Sequence, residues 1–295
     1  MNELVTVIMP AYNAEKYIEQ SISSIINQIY ENWELVIVND ASTDRTEEII
    51  KKYVEKYPEK IRMYANEKNS GAAVALNKAM QNARGEYMCW LSADDLYFET
   101  MISSQIEYLH EHPNFDAVFS KFVSINENSE LLGMWEPTAY LEEVDSENPV
   151  AHYITLLMTG NAFHGCSLLG KRESWVKTGE FNPDASYATD YDYWFRMAAV
   201  TKIGFLNEFN VMGREHPEQG TKKGENDIYA IRVFCDLRKD EELMRNLFEK
   251  TGIPYSKDTV KQCFISRMNM YKDKDRELIE VLKGFQEYLE ECMEG

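Results

Sequence analysis

The five cysteines include no Cys-x-x-Cys pair, so a disulfide frame is not indicated and the thiols are expected to be reduced. Basic residues are scarce: 31 Lys and Arg against 50 Asp and Glu leave a formal net charge of −19. That balance excludes direct binding to duplex nucleic acid, which needs clustered cations. It also disfavours a general polybasic membrane anchor, although a local peripheral contact is compatible with it. No apolar run reaches membrane-spanning length, and residues 1–10 lack the long apolar stretch of a signal peptide. The expectation is a cytoplasmic protein, with peripheral contact at the inner face of a membrane left open. Two phosphate-binding signatures are missing as well. No G-x-G-x-x-G follows the first apolar run, which argues against a dinucleotide oxidoreductase, and there is no G-x-x-x-x-G-K-[ST] loop.

What is present is a regular alternation. Residues 4–9 read as a buried strand that Pro10-Ala11-Tyr12-Asn13 should stop, and 15–28 carry Ile18, Ile22, Ile25 and Ile26 at helical spacing. A second strand, 33–38, ends at Asn39-Asp40, and Ala41-Ser42-Thr43-Asp44 supplies a turn and cap before a helix over 46–57. A short strand at 61–64 and the turn Asn69-Ser70-Gly71 precede an alanine-rich helix over 72–83, and Gly85 introduces the run 87–91. Strand–helix alternation of this kind predicts βαβ units on a parallel sheet. A chain of 295 residues has room for one large α/β domain and an appendage. We expect a main domain over 1–225, with halves 1–100 and 101–225, and a helical extension over 226–295.

The run 87–91 leads into Ser92-Ala93-Asp94-Asp95. Ligands of parallel sheets bind beyond the carboxyl ends of the strands. Two carboxylates there can hold a divalent cation, and through it a diphosphate. The competing reading is a helix starting near Leu96, with one Asp as its cap and the other solvated. Tyr12 follows the first strand and Asp40 the second, where an aromatic face and a carboxylate acceptor suit a nucleobase. A packed loop tyrosine and a capping aspartate are the alternatives.

The second half is less regular. Residues 126–148 are polar and acidic and predict a variable loop, 150–158 a short helix, and 161–167 lead into the apolar Leu168-Leu169 as a strand approaching the site would. His164 is either an acceptor contact or a hydrogen-bonded structural histidine. Asp190 stands where a helix should begin, as an ordinary N-cap would, with Tyr193, Trp194 and Met197 forming the apolar face. Asp192, two positions on, should point elsewhere. Residues 202–208 read as an edge strand, and 219–223 as an exposed polar loop. Leu278, Leu282, Phe285, Leu289 and Cys292 make a short heptad-like stripe, expected to pack on the main domain.

Val7-Ile8-Met9-Pro10-Ala11-Tyr12-Asn13, Val36 to Asp44, Asn69-Ser70-Gly71 with Asn77, Gly85-Glu86 and Ala93-Asp94-Asp95 together resemble the family 2 glycosyltransferases in order and spacing. The similarity resumes over 161–181 and 188–216. The resemblance implies the GT-A fold, an α/β domain with a mostly parallel central sheet flanked by helices. It also implies inverting transfer of a sugar from a nucleotide-diphosphate sugar, with Mn²⁺ or Mg²⁺ as cofactor. Pro10, Ala11, Tyr12, Asn13, Asp40, Asn69, Gly71 and Asp94 would bind the donor, with Tyr12 stacking on the base and Asp40 accepting from a pyrimidine N–H. Asp95 and His216 would bind the metal, Asp190 would be the general base, and Gln219 and Lys222 would belong to a closing lid. Leu76 replaces an arginine common in the family and Thr189 a glutamate, which leaves uracil favoured over thymine and the base without its usual neighbour. A sugar-nucleotide pyrophosphorylase would need a Gly-rich N-terminal loop that is missing. A silent binding scaffold would not be expected to keep Asp95, Asp190 and His216 together. Acceptors that are carbohydrate, lipid-linked or protein-linked all fit, in cell-surface polysaccharide or glycoconjugate synthesis.

Overall fold

Strands β1 (Val5–Ala11), β2 (Trp33–Asn39), β3 (Ile61–Ala65) and β4 (Tyr87–Trp90) pair in parallel in the order β3-β2-β1-β4. Both faces of such a sheet must be covered, and the strands are apolar on both. Ile8, Val36, Val38, Met88 and Trp90 face one apolar cluster, while Val5, Val7, Met9, Leu35, Ile37 and Cys89 face the other. The computed structural model describes residues 2–135, 163–219, 237, 240–251 and 254–256.

The connecting helices cover these faces. Helix α1 (Ile18–Ile26) buries Ile18, Ser21, Ile22 and Ile25, one stripe at helical spacing, and α2 (Thr46–Lys56) buries Thr46 and Ile50. Helix α3 (Ala72–Gln81) presents Ala73, Leu76 and Ala79 to the opposite cluster. Leu76 therefore belongs to the core.

Pro10 does not stop β1, whose register runs on through Pro10↔Val38 to Ala11↔Asn39. The pairing of β1 with β4 ends at Ile8↔Trp90, so beyond Ile8 one side of β1 is an edge. A missing N–H is tolerated on an edge. Gly85 is needed for close approach: a Cβ there would stand 2.6 Å from both Leu4 O and Thr6 N.

Beyond Asp95 the chain departs from the expectation of a helix near Leu96. Leu96–Tyr97 is a two-residue strand, β5, and α4 (Met101–Glu111) starts later, with Thr100 as its N-cap. Strand β6 (Ala117–Ile125) turns into β7 (Leu131–Trp135), so the expected loop over 126–148 begins with a hairpin. The remainder of that segment and the helix expected over 150–158 lie outside the described residues. Of the stretch expected to lead as a strand into Leu168-Leu169, Gly165–Ser167 is a 3-10 turn and the strand is β8 (Leu168–Lys171), which enters antiparallel between β4 and β6. Helices α5 (Arg172–Thr178) and α6 (Thr189–Val200) follow.

The edge strand expected at 202–208 is instead β9 (Ile203–Arg214), twelve residues long and interior, between β6 and β5. Its pairing with β6 is parallel and shifts register on either side of Lys121. These shifts spread the polar residues of 207–210 over a ladder with no simple alternation. The longer ladders of the sheet are the parallel ones, and the antiparallel pairings are short.

Helix α7 (Glu241–Thr251) lies in the expected helical extension and buries Met244, Leu247 and Phe248 in the same cluster as α3 and α6. The stripe from Leu278 to Cys292 lies outside the described residues. Among those described, no helix is long and apolar enough to cross a membrane.

Candidate active site

The C-terminal ends of β1, β2 and β4 open onto a cavity of about 810 Å³. Its walls include Pro10, Ala11, Tyr12 and Asn13 from the loop after β1, Asp40 and Asp44 after β2, Asn69 and Gly71 before α3, and Asp94 after β4, with His216 and Gln219 following β9. All eight donor-binding residues that the resemblance implied are thus in one place, at the end of the sheet where parallel folds bind ligands.

The loops are stiffened by cross-links between them. Asn13 takes a left-handed φ of 48°, and its Oδ1 accepts from Thr43 N at 2.8 Å while its own N–H donates to Ser42 Oγ at 3.0 Å. Asp44 accepts from Glu15 N and from Thr46 N, and Thr46 Oγ1 accepts from Ala14 N at 2.7 Å. The two loops hold each other, and Tyr12 remains 46% exposed on the cavity wall.

Asp40 is buried and already engaged. Its oxygens accept from Asn66 Nδ2 at 2.7 Å, from Ser70 N at 3.0 Å and from Gly71 N at 2.8 Å. A carboxylate has roughly four acceptor directions, so most of this one shapes the loop before α3 and little capacity is left for a base. Gly71 begins α3 at φ 89°, a conformation that suits glycine. Asn77, part of the quoted pattern, is a structural tie: it donates to Phe181 O at 2.9 Å and accepts from Phe181 N at 2.7 Å.

The two adjacent aspartates separate. Asp94 reaches the cavity and its Oδ2 lies 3.0 Å from His216 Nε2. Asp95 is buried away from it, where Oδ1 accepts from Arg214 N at 2.8 Å and Oδ2 from Cys166 Sγ at 3.2 Å. The family resemblance assigned Asp95 and His216 to one metal; the structure brings His216 within hydrogen-bond distance of Asp94. The cause is the short β5–β9 ladder, which pairs Leu96 with Met212. Asp95 caps the end of that ladder through Arg214 N, and the chain turn at Asp94 sends the preceding carboxylate the other way. Burial pushes the Asp95 carboxyl above the usual carboxylate range, opposed by the neighbouring His164 and reinforced by Asp94.

Asp95, His164 and Cys166 bring three ligand-type atoms within 4.8 Å of one another. Their hydrogen bonds do not suit a metal. His164 Nδ1 accepts from Cys166 N, so in the neutral ring the proton sits on Nε2, which faces Asp95 Oδ2 at 3.7 Å. The His164 ring also packs 4.8 Å from that of Phe122. At His216 the Nδ1 atom is buried with no hydrogen-bond partner among the described residues. Nε2 donates to the Asp94 carboxylate, and a cation bound between the two would take the place of that proton. Two adjacent ligands of an octahedral ion with bonds near 2.0–2.1 Å stand roughly 3 Å apart, so the Asp94–His216 pair fits one cation.

Asp190 is half-buried in the first turn of α6, past the N-cap Ala188, and not a cap as its type suggested. It does not line the cavity; it stands beside Gly165, which also approaches Trp90 of the cavity wall. A Cβ built on Gly165 would lie 3.0 Å from Trp90 Cζ3 and 3.5 Å from Asp190 Cβ. Asp192 points elsewhere, as expected, into a two-bond pair with Arg196 at 3.0 and 2.6 Å. Arg196 also donates to Thr178 O and Glu180 O, tying α6 to the end of α5.

Gln219 lines the cavity beside Glu218, which meets Lys16 at 3.3 Å in an exposed ion pair of little energetic weight. Lys222 lies outside the described residues. Sequence reasoning missed Trp90, Tyr17 and Arg214. Tyr17 packs its ring 4.8 Å from that of His216. The one available signal was the Arg-x-His spacing at the end of β9.

The profile described as Glycosyl transferase family 2 matches residues 6–164. An uncharacterised glycosyltransferase of Rickettsia conorii is 32% identical over 271 residues, covering 91% of this chain and 43% of that protein. The chain therefore spans less than half the length of that relative. Among solved structures, Staphylococcus aureus TarS 1–349 in complex with UDP-GlcNAc matches with a TM-score of 0.65 at 19% identity, over 92% of this chain and 74% of that one. The mannosyltransferase PcManGT of Pyrobaculum calidifontis, in complex with GDP-Man and Mn²⁺, matches with a TM-score of 0.61 at 20% identity, over 98% of this chain and 81% of that one.

Proposed function

The chain belongs to glycosyltransferase family 2, and on that premise we propose that it moves a sugar from a nucleotide-diphosphate sugar to an acceptor hydroxyl with inversion. The observation that carries this reading is that one cavity has an exposed aromatic ring, Tyr12, on its wall together with the Asp94–His216 pair.

A nucleotide laid across this cavity has its base against Tyr12 and its diphosphate at Asp94 and His216. We assign the cation seat to those two residues and not to Asp95. A carboxylate with an imidazole suits Mn²⁺ as well as Mg²⁺, and PcManGT was solved with Mn²⁺. A divalent ion held there supplies Lewis-acid stabilisation of the leaving diphosphate. Asp190, beyond Trp90, takes the proton of the acceptor hydroxyl as it attacks from the opposite face. With charge on the leaving group handled at one end and the nucleophile at the other, no second carboxyl acid is required, unlike in a glycosidase.

UDP is the favoured carrier. Tyr12 suits any base, and the remaining acceptor direction on Asp40 suits a pyrimidine N–H. The two neighbours of the same fold carry different bases, so the fold itself does not decide this.

The test is a thermal-shift series with UDP, dTDP and GDP, each with Mn²⁺ and with EDTA. A ligand that binds the native state alone raises the melting temperature by mass action. The proposal expects the largest rise with UDP and Mn²⁺ and a much smaller one in EDTA. Equal rises with and without metal would remove the cation seat, and a larger rise with GDP would remove the pyrimidine preference.

A further inference from the structure

Arg214 is a fully buried cation 0% exposed to solvent, and no step of the proposed reaction uses it. A buried charge is costly unless it is hydrogen-bonded throughout, and the bonds of this one all lead to the surroundings of the cation seat. Nε donates to the Asp94 carbonyl at 2.7 Å. Nη1 reaches the turn between β6 and β7, donating to Asn126 O at 3.1 Å, to Glu127 O at 3.3 Å and to Ser129 Oγ at 3.0 Å. Nη2 donates to Gln20 Oε1 on α1 at 2.8 Å. The backbone N–H of Arg214 holds Asp95, and two residues further on His216 meets the Asp94 carboxylate.

The anchor on the far side is itself rigid. Asn126 Oδ1 accepts from Asn128 N and Glu130 N, both at 2.9 Å, and Ser129 takes a left-handed φ of 67°. The guanidinium carbon lies 4.9 Å from the centre of the Tyr17 ring, whose other neighbour is the His216 ring. One planar fork thus fixes the backbone of Asp94 and the ring that backs His216, relative to α1 and the β6–β7 turn. A lysine ammonium, a single point of charge, has no fork with which to span these acceptors.

We propose that Arg214 is a positioning residue for the cation seat: by pinning the Asp94 carbonyl and Tyr17 to a rigid turn, it sets the gap between the Asp94 carboxylate and His216. The proposal rests on the assignment of Asp94 and His216 as that seat. Partners beyond the direct ligands typically change metal affinity by roughly 10–100-fold when removed.

The experiment measures Mn²⁺ binding in the presence of UDP by the loss of the free-ion electron paramagnetic resonance signal, together with UDP binding in EDTA and the melting temperature. Wild type, Asp94→Asn, Arg214→Lys and Gln20→Ala are compared. Gln20 is exposed and does not line the cavity, so its loss removes one arm of the fork with little threat to folding. The expected result is a Mn²⁺ dissociation constant raised roughly 10–100-fold in Arg214→Lys, and raised less but in the same direction in Gln20→Ala. UDP binding in EDTA should be unchanged in both. If wild type binds no Mn²⁺, or Asp94→Asn binds it equally well, the seat itself is wrong and this inference goes with it. If Asp94→Asn loses Mn²⁺ while folded Arg214→Lys keeps wild-type affinity, the seat stands and the role of Arg214 is refuted. Should Arg214→Lys not fold, Gln20→Ala decides, and wild-type Mn²⁺ affinity in it overturns the proposal.

Discussion

Two carboxylates adjacent in the chain have separate tasks here. Asp94 looks into the cavity with His216, and Asp95 locks the end of the β5–β9 ladder and the Cys166 turn. Substitutions should therefore separate two kinds of loss. Asp94→Asn removes a charge from the cavity wall and should abolish the dependence of nucleotide binding on Mn²⁺ with little change in melting temperature. Asp95→Asn disturbs a buried, fully engaged carboxylate and should cost about 1–3 kcal/mol of stability, while metal dependence persists in the folded fraction. Calorimetry of UDP with and without Mn²⁺, alongside thermal unfolding, checks both. Metal dependence lost at Asp95→Asn but kept at Asp94→Asn would restore the pairing that the family resemblance implied. The choice between the two aspartates was ambiguous in the sequence for a physical reason. Both residues follow the strand, and which of them turns to the cavity depends on β5, a pairing across more than a hundred residues that no local pattern announces.

At the scale of elements, the first half was legible because each parallel strand is apolar on both faces and each is followed by a helix with one apolar stripe. Ile18, Ile22 and Ile25 in α1 and Ile50 in α2 are buried as their spacing predicts. The second half was not, because β9 carries polar residues through register shifts against β6, and alternation fails there. The lost strand end is the one that delivers Arg214 and His216, so the metal pairing and the missed positioning residue share one cause. Helix α6 was legible in its apolar face but not in its start. Asp192 is its structural carboxylate, held by Arg196, which also braces α5. Asp192→Asn should lower stability by about 1–3 kcal/mol, the range for a hydrogen bond to a charged group left short of its partner. The turnover of the folded fraction should stay near wild type. Denaturant titration paired with a donor-turnover assay separates the two quantities, and a loss of turnover without a loss of stability would give Asp192 a chemical role.

For the whole molecule, α7 is part of the core and not an addition to it. Met244, Leu247 and Phe248 are buried beside α6 residues such as Trp194, and Lys250 donates to Ala198 O and Thr201 O at the end of α6. Phe248→Ala should destabilise the entire protein by about 3–5 kcal/mol, as phenylalanine truncations in cores do. The transition should remain single, because the helix and the sheet share one apolar cluster. A two-step unfolding curve for Phe248→Ala, or none of this loss, would show that α7 is an independent attachment.

The reach of the account across the molecule, from the nucleotide loops to α6, comes down to whether Asp190 activates the acceptor. The direct measurement is release of UDP from a panel of UDP-sugars with Mn²⁺, by wild type and by Asp190→Asn, with UDP affinity and melting temperature recorded on the same samples. Removal of a general base is expected to lower turnover by roughly 10²–10⁴-fold, with UDP affinity and melting temperature close to wild type. A folded Asp190→Asn protein that turns over donor near the wild-type rate would contradict the account.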